Sequence, residues 1–223
     1  MSFFTNIIKI LQRYGMKYVY GTGVALGLSL LSIVLGSVLG IGIALMYMSK
    51  KKSLHVISNV YIQVLRGTPV LLQLYLFWIL LPKIPGLGEI SDLSCVCVAL
   101  VVNASAYMAE VFRAGIQAVD PGQREAAVSL GMRERDIMIK VIFPQAIKNI
   151  LPAMGNEFVV MIKETSLAST FMAGEIMTAY RQVQSVTYLA IESLTIAGII
   201  YLILTLGLNA LLHVLERRLE KNG

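Results

Sequence analysis

Asn103, Tyr107 and Glu110 stand at i, i+4 and i+7 in a largely apolar stretch, so a helix would carry all three on one face. Lys163 and Glu164 close a second such stretch. Ionisable groups inside apolar spans are costly and usually face an interior or an aqueous pathway. With neutral hydrogen bonds from Asn103 and Tyr107, the set suits holding a polar solute. The competing reading is that Lys163 and Glu164 pair with each other or snorkel to an interface. Bond-breaking chemistry has less support. His55 and His213 are far apart, no G-x-S-x-G element occurs, and no acid–base cluster with a nucleophile is seen. Cys95 and Cys97 lie two apart without another Cys or His nearby, short of the three or four ligands a metal takes, and read as packing residues. No G-x-x-x-x-G-K-[ST] loop is present, so any nucleotide-derived energy has to come from a partner. No catalytic or metal-ligating residue is assigned.

The elements that position these residues are membrane spans. With 57% hydrophobic and 14% charged residues and a mean hydropathy of +0.73, the chain falls outside the range of soluble domains, which carry about 25% charge. Its 223 residues leave room for about five spans in a single domain, 1–223. The net charge of +6 does not indicate nucleic acid, because the basic residues cluster at span ends rather than beside aromatic stacking residues. The stretch to Tyr14, broken by Lys9 and Arg13, is mildly amphipathic and does not read as a signal peptide.

The first span runs from Tyr18 to Met48 without a charge, carries Gly23-x-x-x-Gly27 and Gly36-x-x-x-Gly40 as packing patterns, and ends at Lys50-Lys51-Lys52. The second covers about Leu54 to Leu81, with a kink expected at Pro69. The third covers about Leu93 to Val111. The fourth runs from Phe143 to Leu167, interrupted by Lys148, Glu157, Lys163 and Glu164, and the fifth spans about Ser193 to Val214. Residues 168–188 are too polar for a sixth, and read as a short helix at the surface, or folded over the bundle, or as a loop. Five spans put the termini on opposite sides, and the positive-inside rule favours N-terminus outside, C-terminus inside.

Between the third and fourth spans lies a charged, helix-prone insert. Glu125-Ala126-Ala127 is followed by Gly131, which permits a bend after about two turns, and by Pro144, suited to the first turn of the next helix. Glu125 would sit near a helix N-terminus, Ala126 and Ala127 would face a partner, and the whole loop occupies about 120–142.

This insert resembles the E-A-A-x-x-x-G-x9-I-x-L-P loop of ABC importer permeases, with Val141 and Phe143 at the Ile and Leu positions. Further strings resemble the polar amino acid branch of that family: Arg66-Gly67-Thr68-Pro69 with Gln73, Asn103 to Glu110 followed by Arg113-Ala114-Gly115, and Lys163-Glu164-Thr165-Ser166-Leu167. The resemblance covers nearly the whole chain. It implies an all-α membrane protein with the type I ABC importer permease fold, in the bacterial cytoplasmic membrane. It implies a coupling helix, with Glu125, Ala126, Ala127, Gly131 and Pro144 engaging a separate ATPase that binds ATP and Mg. It further implies a second permease, identical or paralogous, an extracytoplasmic binding protein, and a polar amino acid as cargo. An amino acid carries a carboxylate and an ammonium group, which Lys163 and the glutamates would complement. No cofactor is expected in this chain. The alternative is an ion-coupled secondary transporter, whose usual internal repeat is not seen.

Overall fold

The charge-free stretch after Lys17 forms part of one unbroken helix, α1 (Phe3–Tyr47), in a computed structural model that describes residues 2–221, side chains of 219–221 excepted. Its 45 residues reach ~68 Å, about twice the hydrocarbon thickness, so α1 continues well past the bilayer core. Next come α2 (Lys52–Gly67) and α3 (Val70–Leu80), then α4 (Asp92–Gln117), the short α5 (Pro121–Ser129) and α6 (Glu134–Asp136), and α7 (Phe143–Glu164). After these, α8 (Ile176–Thr187) leads into α9 (Ala190–Lys221). The described residues contain no strand.

Four stretches are long and apolar enough to cross a membrane: Phe3–Tyr47, Asp92–Gln117, Glu134–Phe171 and Ala190–Arg218. The α2–α3 pair, bent by 108°, makes a fifth if counted as one broken span. That agrees with about five spans. The charged tail expected after Val214 continues α9.

In lipid, helices gain little from hydrophobicity and associate by close packing of small residues. Gly36 and Gly40 of α1 lie directly on α4. A Cβ on Gly36 would stand 2.7 Å from Ala104 Cβ, and one on Gly40 2.9 Å from the Ala109 backbone nitrogen. Gly23 and Gly27 have nothing within 4 Å, so the first of the two glycine patterns is no packing seam within this chain. Around the seam, Ile33, Leu74, Leu100, Met108, Met161 and Phe171 form the main core.

Residues 168–188 take the folded-over arrangement. A 3₁₀ segment, Thr165–Phe171, ends at Met172 with φ of 52°, and α8 then packs Ile176, Ala179 and Val183 on Tyr18 and Ala25 of α1 and Ile196 of α9. Glu175 caps α8 while fully buried. Its carboxylate accepts from Met177 N at 2.6 Å, Thr178 N at 2.7 Å and the Tyr201 hydroxyl at 2.9 Å. Burial raises its carboxyl above the usual carboxylate range, although these hydrogen bonds hold the charge and act against the shift.

Candidate functional site

Pro69 breaks the second span, as its missing N–H requires, and the break leaves backbone carbonyls of α2 without helical donors. The Gln73 side chain takes them up. Its Nε2 donates to Leu65 O at 2.7 Å, to Thr68 Oγ1 at 2.9 Å and to Thr68 O at 3.2 Å, while its Oε1 accepts from Asn103 Nδ2 at 2.9 Å. Both amides are buried. Asn103 therefore braces the break and is closed off from any open passage, contrary to its expected place at a binding surface. Its Oδ1 is buried without a hydrogen-bond partner.

One and two turns further along α4, Tyr107 and Glu110 join a cluster of charged side chains. Arg66, at the end of α2, lies over the Tyr107 ring at 5.4 Å and reaches Glu110 at 3.8 Å. Glu110 is also held by a close two-pronged pair with Arg113, which contacts Gln117 and covers the Tyr47 ring at 5.5 Å. Across from them, α7 presents Glu157 and Glu164, seven residues apart and so on one face. Glu157 is an electrostatic neighbour of Arg66 and Tyr107, and Glu164 of Tyr107 and Glu157. Neither forms an ion pair among the described residues. Glu164 is also an electrostatic neighbour of Lys163, so the three carboxylates stand near three cations, but Glu157 and Glu164 have no direct ionic contact among the described residues.

Lys163 acts on this cluster only through its charge on Glu164. Successive helix residues point about 100° apart, and Lys163 lines a separate cavity of about 410 Å³ with Arg181, Ser166, Thr170 and Tyr201. The positive partner that Lys163 was expected to provide is Arg66. Arg66 stood in the motif string before Pro69, but only the 108° bend shows that it turns toward α4.

The insert forms α5, started by Asp120, whose Oδ1 accepts from Gly122 N at 2.8 Å, and by Pro121 in its first turn. It ends in a Schellman arrangement: Met132 N donates to Ala127 O at 3.2 Å and Gly131 N to Val128 O at 2.9 Å, with Gly131 at φ of 72°. Gly131 is therefore the bend. Glu125, Ala126, Val128 and Leu130 are exposed, whereas Ala127 is buried on Ile137 and Ile142. Of the two alanines expected to face outward, only Ala126 does. Pro144 lies in the first turn of α7, as expected, after a widened π-helical turn, Ile137–Ile142. A wide turn there relieves the clash between a proline ring and the preceding carbonyls.

Residues 32–221 match the family described as binding-protein-dependent transport system inner membrane component. The chain is similar to the arginine transport system permease protein ArtQ of Bacillus subtilis, 38% identical over 91% of this chain and 92% of that one. It is also similar to the octopine transport system permease protein OccM of Rhizobium radiobacter, 37% identical over 88% and 83%. A crystal structure of an amino acid ABC transporter with histidines superposes with a TM-score of 0.88 at 42% identity, covering 98% of this chain and 99% of that one. The MetNI methionine ABC transporter in an inward-facing form, at 18% identity and a TM-score of 0.71, shares the fold.

Proposed function

Because the chain belongs to the family of binding-protein-dependent transport system inner membrane components, we propose that it carries a cationic amino acid past its Arg66–Glu110–Glu157–Glu164 cluster. It is the permease component of an amino acid ABC importer of the bacterial cytoplasmic membrane. The observation that supports the cargo is that Glu157 and Glu164 make no direct ion pair among the described residues. A zwitterion with a neutral side chain adds no net charge there, whereas one with a cationic side chain supplies the direct ion-pair partner that Glu157 and Glu164 do not have. Arg66, extended over Tyr107, is placed to meet the cargo carboxylate. Similarity to permeases named for arginine and for octopine agrees with this reading.

Energy comes from separate ATPase subunits that bind ATP and Mg and receive α5 through Glu125, Ala126 and the bend at Gly131. Ala127 and Pro144 hold that helix to the bundle. An extracytoplasmic binding protein delivers the cargo, and a second permease, identical or paralogous, completes the pathway. The N-terminus is outside and the C-terminus cytoplasmic, the sense in which Arg124, Arg133, Arg135 and Lys140 lie inside.

The test is ATP-driven uptake in proteoliposomes containing permease, ATPase and binding protein. L-arginine and L-citrulline are compared, being near-isosteric but charged and neutral. The parent should favour arginine. Glu157→Gln and Glu164→Gln should each cost arginine uptake about ten-fold or more, the effect of one desolvated charge contact, and Lys163→Ala should cost little. Equal uptake of both amino acids, unaltered by the Glu variants, would refute the cluster assignment while leaving the importer itself in place.

A further inference from the structure

Beneath α5, the adjoining ends of α1, α2 and α4 enclose a cavity of about 620 Å³ that the charged cluster does not use. Its polar wall carries Lys50, His55 and Arg124. Its floor is apolar, formed by Ile116, Met138 and Ile142 among others. One carboxylate, Asp120, also lines it, but that group is engaged as the cap of α5 through Gly122 N. His55 Nδ1 lies 2.7 Å from the Tyr47 carbonyl oxygen and so carries a proton, which leaves Nε2 as its only uncommitted ring nitrogen. Arg124 holds Glu134 at 2.8 Å from an exposed position and is not shielded from a second anion.

We propose that this cavity seats the phosphate headgroup of an anionic phospholipid. The inference rests on the reading that the α5 end of the bundle is cytoplasmic. Three features favour a lipid over a free anion. The cavity opens where the charge-free part of α1 gives way to Lys50-Lys51-Lys52, which is the edge of the hydrocarbon. Its floor is apolar, and a small hydrated anion gains nothing from that. From His55 onward, α2 also exposes Val56, Ile57 and Val60, a continuous apolar strip along which acyl chains can lie. The phosphate binds Lys50 and Arg124, beside His55 on the same wall. Arg113 covers Tyr47, which lines the cavity, and pairs with Glu110, so an occupied cavity borders the same chain of contacts as the charged cluster.

The experiment uses the permease–ATPase complex, purified and delipidated, then mixed with palmitoyl-oleoyl phosphatidylglycerol or palmitoyl-oleoyl phosphatidylcholine. Retained lipid is counted by native mass spectrometry, and glycerol 1-phosphate serves as the free-phosphate arm. Phosphatidylglycerol should be retained in preference to phosphatidylcholine. Lys50→Gln and Arg124→Gln should each weaken its retention about five-fold, the effect of one basic residue at an anionic surface. Lys83→Gln, an equal charge change outside the cavity, should leave retention unchanged. Co-elution with the ATPase verifies assembly of each variant, and Lys50→Gln stands alone if Arg124→Gln fails that check. Equal retention of the two lipids, equal loss in Lys83→Gln, or binding of glycerol 1-phosphate without phosphatidylglycerol would each overturn the assignment.

Discussion

Replacing Gln73 by leucine should loosen the bend between α2 and α3 and displace Arg66. The substitution nearly preserves volume, so its effect isolates the amide. It removes the donor to Leu65 O and Thr68 O and the acceptor for Asn103 Nδ2. Asn103 Oδ1 has no partner already, so its whole amide would be left unsatisfied in a buried site. A buried group stripped of its hydrogen bond costs roughly 1–3 kcal/mol, while interhelical bonds within membranes average nearer 0.6 kcal/mol. Three groups lose a partner, so a loss of about 2–6 kcal/mol is expected. Trp78 is the sole tryptophan, sits in α3 with its Nε1 donating to Asp92 at 2.7 Å, and packs near Phe171. Its fluorescence therefore reports directly on α3 during denaturation by SDS. The Asn103→Leu change should be less damaging in the Gln73→Leu background than in the parent, because both ends of the bond are then gone. Strict additivity, or a Gln73→Leu protein as stable as the parent and equal in uptake, would refute the argument.

Three further outcomes follow from the same geometry. Gly40→Leu should abolish assembly, since its Cβ already meets the Ala109 backbone at 2.9 Å, whereas Gly27→Leu should leave the folded yield of this chain near the parent's; size-exclusion profiles distinguish the two. Gly131→Leu forces a left-handed backbone on a side chain at a cost of about 1–2 kcal/mol, and should release the ATPase in co-purification or uncouple hydrolysis from uptake. For Glu175, burial raises the folded carboxyl above its unfolded value, so its stability contribution is complete below the ordinary carboxylate range and is lost as pH rises through the folded value. Unfolding midpoints taken from about pH 5 to about pH 8 should fall less in Glu175→Gln than in the parent, and an identical slope would refute this.

The spans, the insert with its glycine bend, and the break at Pro69 were all readable from hydropathy and from the backbone limits of Gly and Pro. Those are local properties, and they carried through. The site was only half legible. Period-3.6 reasoning placed Tyr107 and Glu110 on one face, and the same reasoning separates Lys163 from Glu164, which adjacent numbering obscured. What sequence could not show was which polar residues serve the fold. Asn103 and Gln73 satisfy backbone groups freed by a proline, and Glu175 satisfies a helix start, yet each is as polar as a cargo ligand. The two glycine patterns of α1 are alike in spacing, and only the position of α4 separates the one that packs from the one that does not. Ala126 and Ala127 likewise differ only in which of them the bundle covers.

The contact of Gly36 and Gly40 with α4 is made by backbone and Cβ atoms, not by the tips of long side chains. Side-chain tips can swing between rotamers and let neighbouring helices slide, but at Gly36 and Gly40 the nearest atoms are backbone and Cβ atoms, which cannot. The two helices must therefore behave as one lever, about the length of α1, with α4 running straight into the loop that carries α5. If a partner loads α5, as proposed, the close seam opposes shear of α1 against α4. The breaks in helical regularity lie elsewhere, at two joints: the bend by Pro69 and the widened turn ahead of Pro144. The carboxylates of α7 lie beyond the second of these joints and Arg66 beside the first. The charged cluster thus joins Tyr107 and Glu110, fixed on the α1–α4 pair, to Arg66 and the α7 carboxylates, which lie at or beyond the two joints.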